Sequence, residues 1–337
     1  MLPAAPRPAL ASLRWPSRPS LPGGNPAWTY MVDVPERHEA FAIFIGHTEQ
    51  QGPFPFEVWV NGSEQPRALG AVAKTLSMDM RALDRRWLSR KLDALEQLSG
   101  DDGFVLAMPP TGHEIRVPSL VSGFARLIRY RCTELGALPA SASTESPLAA
   151  ALISEAEPQT GHDGTLSWAV DIVNPATGDD ISMFLKELQL PDGQRRPYAA
   201  HLAGRCPRVL DGLCKLLSLD MRVVDVGWIG MKLRKLLTYS EVGGAFFARV
   251  PGEQGGQLYA STVAYMARLI IYRYQQLGLL DVEGRPLKDE GILALPSSAK
   301  VRAPLAGRQC PDCHAMSVVR QGGCDRCDAC GWQGSCG

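Results

Sequence analysis

PRALGAVAKTLSMDMRALDRRWLSRKLDAL occupies residues 66–95, and PRVLDGLCKLLSLDMRVVDVGWIGMKLRKL occupies residues 207–236. The identical residues of these two segments lie 141 positions apart throughout. A second pair of segments, ARLIRYR at 125–131 and ARLIIYR at 267–273, repeats with an offset of 142. Matches this dense, interrupted by a single one-residue shift, predict that the chain is a tandem duplication.

Each copy is predicted to begin with antiparallel strands and to continue as helices. Alternating or continuous apolar stretches bounded by turn residues predict strands at 41–45, 56–60, 166–173 and 181–190. The turns between them are expected at Gln51 to Pro53 and at Asn174 to Asp179, where Gly and Pro cluster. Apolar residues at i, i+3, i+4 and i+7 then predict a helix from Leu69, with Pro66 in its first turn.

Two further helices are predicted in each copy. Asp84 and Asp225 each precede an apolar stripe that contains a tryptophan, Trp87 or Trp228, and are N-cap candidates. The last helices are expected at about 119–135 and 261–277, and each is followed by a glycine that can end it.

The fold class expected from this pattern is α+β, with two tandem copies of a two-layer module followed by a small zinc ribbon. The expected divisions of the chain are a Pro-rich lead-in, the first module, a linker, the second module, a flexible linker and a Cys-rich tail, at 1–26, 27–138, 139–165, 166–282, 283–309 and 310–337.

The repeated polar residues are interpreted as structural. They are Lys74 and Lys215, Asp79 and Asp220, and Arg81 and Arg222. A catalytic set is needed once, whereas a folding requirement is met in every copy, so capping and ion pairing are favoured over catalysis. Trp87 and Trp228 are expected to be buried in the core on the same argument.

The tail carries six of the nine cysteines, at positions 310, 313, 324, 327, 330 and 336. Two Cys-x-x-Cys pairs at this spacing are typical of a zinc ribbon, because each pair forms a turn that directs two thiolates at one tetrahedral ion. Cys310 and Cys313 form the first pair. For the second pair, Cys327 and Cys330 are favoured over Cys324 and Cys327, because Gly331 can supply the positive φ that such a turn uses.

Four ligands fill a tetrahedral metal site, so two of the six tail cysteines, Cys324 and Cys336, are not needed as ligands. They are either a dithiol/disulfide couple or spare thiols without a role. Exposed thiols near a chain end are accessible to exchange, so redox use is the favoured interpretation. His314 is a further zinc-ligand candidate, but four better-placed thiols compete with it.

The charge, hydrophobicity and motifs of the chain limit the partners, location and activities that can be expected for it. The chain has 35 basic and 35 acidic residues and no net charge, which argues against nucleic acid as the partner. No apolar run is long enough to span a membrane. Paired Cys-x-x-Cys motifs without an export signal predict a reducing compartment, so a cytoplasmic location is expected. The sequence contains no GxGxxG motif, Walker loop or HExxH motif.

The tail, from Cys310 to Gly337, resembles the C-terminal end of adenosylcobalamin-dependent (class II) ribonucleotide reductases. Residues 56–62, FEVWVNG, with the helix that follows them, resemble the TSCPD module that those enzymes carry before the tail. Two features depart from the family pattern. The Thr-Ser-Cys-Pro-Asp signature remains only as Cys206-Pro207, and five residues separate Cys330 from Cys336 where the family has four.

The resemblance implies a function in making deoxyribonucleotides for DNA synthesis. In that family a cobalamin-generated thiyl radical reduces ribonucleotides inside a large α/β barrel, and each turnover oxidises two active-site thiols. Two C-terminal cysteines re-reduce that disulfide and are themselves recycled by thioredoxin or a similar reductant. Nothing in this chain corresponds to the barrel.

The chain is therefore expected to be the C-terminal part of a split class II ribonucleoside-diphosphate reductase. A separate barrel chain would hold adenosylcobalamin and substrate, and the tail would hold Zn²⁺. Cys324 and Cys336 would be the redox shuttle, with Cys330 and Cys336 as the other possible pair. The alternative from another class is a non-catalytic zinc-ribbon regulatory or interaction protein.

Overall fold

The chain is an α+β protein with antiparallel sheets in a computed structural model. The structure describes residues 13–15, 17–19, 23–48, 53–62, 64–82, 84–139, 147–150, 152–154, 156–160, 162, 164–190, 193–287, 310–313, 318–321, 324–327 and 330–336.

The first module places one three-stranded sheet against helices and adds a short hairpin. The sheet order is β1-β2-β3, and the hairpin pairs β4 with β5. The elements in chain order are β1 (Ala27–Val34), β2 (Glu39–Thr48), β3 (Phe54–Asn61), α1 (Leu69–Arg81), α2 (Arg85–Glu96), β4 (Phe104–Met108), β5 (His113–Val117) and α3 (Leu120–Glu134).

The second module contains the same kinds of element in the same order. Its sheet order is β6-β7-β8, and its hairpin pairs β9 with β10. The elements are β6 (Ser167–Asn174), β7 (Asp179–Gln189), β8 (Arg195–Arg205), α5 (Val209–Met221), α6 (Val226–Leu236), β9 (Phe246–Ala248), β10 (Gln257–Tyr259) and α7 (Thr262–Gln276).

Each sheet has three strands where the sequence predicted two. In the first module the predicted segments fall in β2 and β3, and in the second they fall in β6 and β7. The missed strand β1 has an apolar inward face that includes the aromatic residues Trp28 and Tyr30. The missed strand β8 begins with Arg195-Arg196-Pro197, a polar start that hides its pattern. The hairpins were missed because their strands have only three to five residues.

The predicted helix starts are found at the expected caps. The Asp84 carboxylate accepts a hydrogen bond from Trp87 N at 3.0 Å, and the Asp225 carboxylate accepts one from Gly227 N at 2.8 Å. Ser119 and Ser261 cap α3 and α7 in the same way. These side chains pair amide groups that have no partner inside the first turn of a helix.

A repeated serine joins each sheet to its first helix. The Ser77 hydroxyl accepts from Val58 N at 2.9 Å and donates to Val58 O at 3.0 Å. Ser218 accepts from Ala200 N at 2.9 Å in the second module. Because β3 and β8 are edge strands, these bonds pair backbone groups that no neighbouring strand reaches.

The two modules pack together through their helices around two buried ion pairs. Lys91 of α2 lies 2.6 Å from Asp220 of α5, and Lys232 of α6 lies 2.6 Å from Asp79 of α1. All four side chains are fully buried. Each lysine therefore binds a carboxylate of the other module, so the two pairs are reciprocal.

Backbone carbonyls and tryptophan indoles form further hydrogen bonds with these four buried charges. Lys91 Nζ donates to Leu216 O at 3.0 Å, and Lys232 Nζ donates to Thr75 O at 2.8 Å. The indoles of Trp87 and Trp228 donate to Asp79 and Asp220 at 3.2 and 2.6 Å. These contacts agree with the interpretation of the repeated aspartates and tryptophans as structural residues.

Electrostatics makes the four charges interdependent. Burial raises the pKa of Asp79 and lowers the pKa of Lys232, while the opposite charges of their partners act against both shifts. An ion taken out of water costs several kcal/mol unless a partner and further hydrogen bonds compensate it. Each lysine also lies 3.6 or 4.0 Å from the aspartate of its own module, so the four charges stabilise one another as a set.

The first linker packs against both modules through the residues that the structure describes. It forms a short helix, α4 (Pro147–Ala150), and its side chains Leu148, Leu152 and Ile153 are buried. Leu148 N donates to the Asp84 carboxylate, and Ile153 N donates to Arg222 O at 2.8 Å. The linker thus covers part of the apolar cluster around Trp87 and Trp228.

The lead-in contributes to the same cluster from the other side. Leu13 forms a bridge with Ala82, and Arg14 N donates to Arg81 O at 2.8 Å. Residues 1–12, 16 and 20–22 of the lead-in lie outside the described residues. The Pro-rich composition hid this contact, because one leucine and one arginine make it.

The second module extends slightly beyond its predicted end. Leu280 bridges Pro286, and Leu287 N donates to Leu279 O at 3.1 Å, so residues up to Leu287 pack against the module. The remainder of the predicted flexible linker, 288–309, lies outside the described residues.

Replacing one buried lysine tests the importance of the reciprocal pairs. We expect Lys91→Met to lower the free energy of unfolding by about 3–5 kcal/mol, because Asp220 loses its nearest cation inside the protein. Urea denaturation of the full chain measures this change. Lys215→Met is the matched control, since Lys215 is only half-buried and forms no ion pair within the described residues. It should change stability by about 0.5 kcal/mol or less. A loss below about 1 kcal/mol for Lys91→Met would contradict the role of the pairs.

Candidate metal centre

The tail folds as a three-stranded antiparallel sheet with two cysteine-bearing turns. Its strands are β11 (Val318–Gln321), β12 (Cys324–Cys327) and β13 (Gln333–Cys336). One turn holds Cys310 and Cys313 before the sheet. The other turn follows β12 and holds Cys327 and Cys330.

Backbone hydrogen bonds fix the second turn. Gly331 N donates to Cys327 O at 2.9 Å, and Cys327 N donates to Trp332 O at 2.7 Å. Gly331 has a φ of 80°, the left-handed conformation that the sequence analysis expected at this position. The turn places the Cys327 and Cys330 side chains on the same side, towards the first turn.

Four sulfur atoms meet between these turns. The Sγ atoms of Cys310, Cys313, Cys327 and Cys330 all lie within 4.8 Å of one another. Cys310 Sγ is 3.6 Å from Cys330 Sγ, and Cys313 Sγ is 3.6 Å from Cys327 Sγ. These are the four thiols that the spacing argument selected as ligands.

The distances fit a tetrahedral thiolate site. Zinc–sulfur bonds of about 2.3 Å place the sulfurs of a regular tetrahedron about 3.8 Å apart, close to the observed 3.6 Å contacts. The donor set consists of soft thiolates, which favours Zn²⁺ over hard cations such as Mg²⁺ or Ca²⁺.

The close approach of the four thiols also changes the pKa of Cys330. A backbone hydrogen bond from Trp332 lowers the pKa of Cys330, but desolvation and the three neighbouring thiols raise it to about 12. The neighbouring thiols thus disfavour the thiolate form of Cys330 when no cation is bound. A divalent cation among them reverses this balance, because thiolates are its ligands.

Two of the four cysteines belong to a small hydrophobic cluster among the described residues of the tail. Cys310, Cys327 and Val318 are buried and Trp332 packs against them, while Cys313 and Cys330 are exposed. A metal bound by these four cysteines would add to the stability of the tail.

Cys324 and Cys336 stand apart from the four-sulfur cluster. Cys324 is disulfide-bonded, and Cys336 is its backbone partner in the pairing of β12 with β13. The side chain of Cys336 and the whole of His314 lie outside the described residues. The structure thus separates Cys324 from the metal-ligand set, as the ligand count from the sequence required.

The three cysteines of the modules have no features of reactive thiols. Burial raises the pKa of Cys132 to about 12 and raises the pKa of the fully buried Cys214 as well. Cys206 is half-buried, and desolvation is the largest cause of its raised pKa. Thiols held protonated in this way are poor nucleophiles.

A cleft of about 380 Å³ beside Cys206 was not predicted. Arg67 of the first module and Asp179 and Arg205 of the second line it. Arg67 donates to both oxygens of Asp179, at 3.0 and 2.7 Å. Desolvation opposes ionisation of Asp179, but hydrogen bonds from Arg67 and two threonines hold its pKa below the usual value. The pair joins residues 112 positions apart, a separation that no sequence pattern signals.

No protein-family model, curated protein or solved structure matches this chain. Among the residues that the structure describes, no helix is long and apolar enough to cross a membrane.

Metal analysis tests the ligand set. We expect one zinc per chain, because four thiolates close a single tetrahedral site. Cys310→Ser and Cys330→Ser should each abolish stoichiometric binding, as measured by elemental analysis after dialysis. Cys324→Ser is the matched control in the same strand as Cys327, and it should retain the metal. Loss of zinc in Cys324→Ser but not in Cys330→Ser would show that the second pair is Cys324 with Cys327.

Proposed function

We propose that this chain is the C-terminal redox chain of a split class II ribonucleotide reductase. The observation that carries the proposal is the separation of Cys324, which is disulfide-bonded, from a complete four-thiol cluster. A tail with only a structural metal site would need no further cysteines. The resemblance of the tail to that enzyme family supplies the reaction in which such a couple would act.

The proposed exchange is balanced in electrons and protons. The reduced Cys324 and Cys336 thiols attack the disulfide that the barrel chain forms at each turnover. The tail becomes a disulfide, and the two barrel thiols receive two electrons and two protons. A thioredoxin-like dithiol then reduces the tail by the same chemistry and leaves as a disulfide.

The tail must reach a partner chain for this exchange. Residues 288–309 join it to the packed residue Leu287 and can extend to at most about 75 Å. The metal site would keep Cys324 presented on β12 while the tail moves as a unit. Zinc in this chain, adenosylcobalamin in the barrel chain and a cytoplasmic location belong to the same proposal.

The two modules are proposed to share one fold that arose by duplication. The repeated order of elements, the paired N-caps and the reciprocal lysine–aspartate contacts support this proposal. Superposition of the modules in an experimental structure tests it. Strand connections that differ between the two sheets would contradict a common origin.

A non-catalytic zinc-ribbon interaction protein is the second candidate. A site closed by four thiolates leaves no coordination position for a substrate, which favours a purely structural metal. Co-purification with a barrel chain distinguishes the two candidates, since only the reductase requires such a partner.

Turnover of the barrel chain with this protein and thioredoxin tests the redox role. We expect Cys324→Ser/Cys336→Ser to permit one turnover per active site, because the barrel thiols suffice once, and to stop repeated turnover. Dithiothreitol should restore repeated turnover, since a small dithiol reaches the active site unaided. Product formed per active site, measured by rapid quench, gives the readout.

Two controls complete the experiment. Cys206→Ser removes a thiol outside the tail and should leave thioredoxin-driven turnover unchanged. The double variant should still bind one zinc, which separates loss of exchange from loss of folding. Unchanged thioredoxin-driven turnover in the double variant would remove the redox role from this pair.

A further inference from the structure

The four sulfurs of the candidate metal centre differ in their access to solvent. Cys310 and Cys327 are fully buried, whereas Cys313 and Cys330 are exposed. Each of the two cysteine-bearing turns thus contributes one buried and one exposed sulfur. Because four thiolates fill a tetrahedral site, a reagent from solution would meet the exposed sulfurs and not the ion.

Two sulfur–sulfur contacts each join an exposed sulfur to a buried sulfur of the other turn. Cys330 Sγ lies 3.6 Å from Cys310 Sγ, and Cys313 Sγ lies 3.6 Å from Cys327 Sγ. A disulfide bond is about 2.0 Å long, so a short movement of either pair would allow a bond between the turns. The cluster therefore holds a second thiol beside each exposed one.

The cysteines of the modules provide an internal comparison. Cys132 and Cys214 are buried, and burial raises the pKa of Cys132 to about 12. Such thiols react slowly with oxidants, because the thiolate is the nucleophile. A cysteine that binds a metal is held in the thiolate form. Cys313 and Cys330 would thus combine thiolate form with exposure, whereas Cys132 and Cys214 have neither property.

We propose that the four-cysteine cluster is an oxidation site, at which a hydroperoxide forms disulfides between the two turns and thereby releases the metal. Cys330 would pair with Cys310, and Cys313 would pair with Cys327. The proposal goes beyond the function proposed above, because it needs neither Cys324 nor a reductase partner. It uses only the geometry and the exposure of the four sulfurs.

The proposed reaction is balanced in atoms and electrons. The Cys330 thiolate attacks one oxygen of the peroxide, the oxygen–oxygen bond breaks, and the other oxygen leaves as hydroxide. The Cys310 thiolate then attacks the Cys330 sulfenic acid, the disulfide forms, and the second oxygen leaves as hydroxide. Two electrons pass from the two sulfurs to the peroxide, and the charge of the ion does not change. The two remaining thiolates cannot close a tetrahedral site, so the ion is lost.

The full chain with Cys324→Ser/Cys336→Ser, loaded with zinc, isolates the cluster from the other tail thiols. Hydrogen peroxide should release one zinc per chain, measured with a chromogenic chelator. Reduction by dithiothreitol, its removal and added zinc should restore one zinc per chain, because a dithiol reduces disulfides. The wild-type chain is measured alongside, so the result does not depend on the folding of the variant.

Peptide mapping shows which sulfurs have joined. Trypsin cleaves after Arg308, Arg320 and Arg326, so 309–320 and 327–337 are separate peptides, each with one pair of ligand cysteines. Disulfides between the turns should link these two peptides in mass spectrometry. Cys132 and Cys214 should stay reduced in the same sample. In the wild-type chain Cys324 lies in its own peptide, 321–326, so its disulfide is distinguished from the new links.

Four results would overturn the proposal. They are zinc retained while methionines of the same chain are oxidised, disulfides confined within each turn, sulfinic acids without linked peptides, and zinc release from the wild-type chain but not from the double variant. The last result would assign the reaction to Cys324. A chain that binds no zinc before treatment rejects the metal centre and this proposal together. None of these measurements contains the barrel chain, so their failure is distinguishable from failure of the reductase assay.

Discussion

The reciprocal pairs of Lys91 with Asp220 and Lys232 with Asp79 are the constraint on which the rest of the body depends. Each charge is fully buried and lies at hydrogen-bonding distance from a charge of the other module. Because the cost of burying an ion is met across the module boundary, the helices of both modules must stay in contact. This contact turns both sheets outwards and fixes which of their faces meet solvent.

Several other features follow from that contact. Trp87 and Trp228 lie beside the buried charges, and the first linker and the lead-in cover the apolar cluster around them. The pair of Arg67 with Asp179 joins the modules a second time nearer the surface. The repeated polar residues are thus used to hold two similar units together, and the modules offer no thiol suited to exchange.

The tail differs from the two modules in the interactions that can stabilise it. Its described residues form only a small apolar cluster, and its four convergent sulfurs would repel one another as thiolates without a cation. A metal bound there would stabilise the tail as packing stabilises the modules. Cys324 lies outside this arrangement, so its redox state can change without removing a ligand. That independence supports the proposal that exchange and metal binding use different cysteines.

The sequence by itself determined the features that depend on local pattern. The caps at Asp84 and Asp225, the helix periods and the left-handed Gly331 follow from a few neighbouring residues. Spacing favoured the grouping of Cys310, Cys313, Cys327 and Cys330, and the structure brings those four sulfurs together. Tertiary structure alone decided which partners meet across long separations. The crossed pairing of Lys91 with Asp220 and the cleft at Arg67 both depend on how the modules pack. A repeat in the sequence shows that a residue is needed twice, but it cannot show whether the partner lies in the same copy or in the other one.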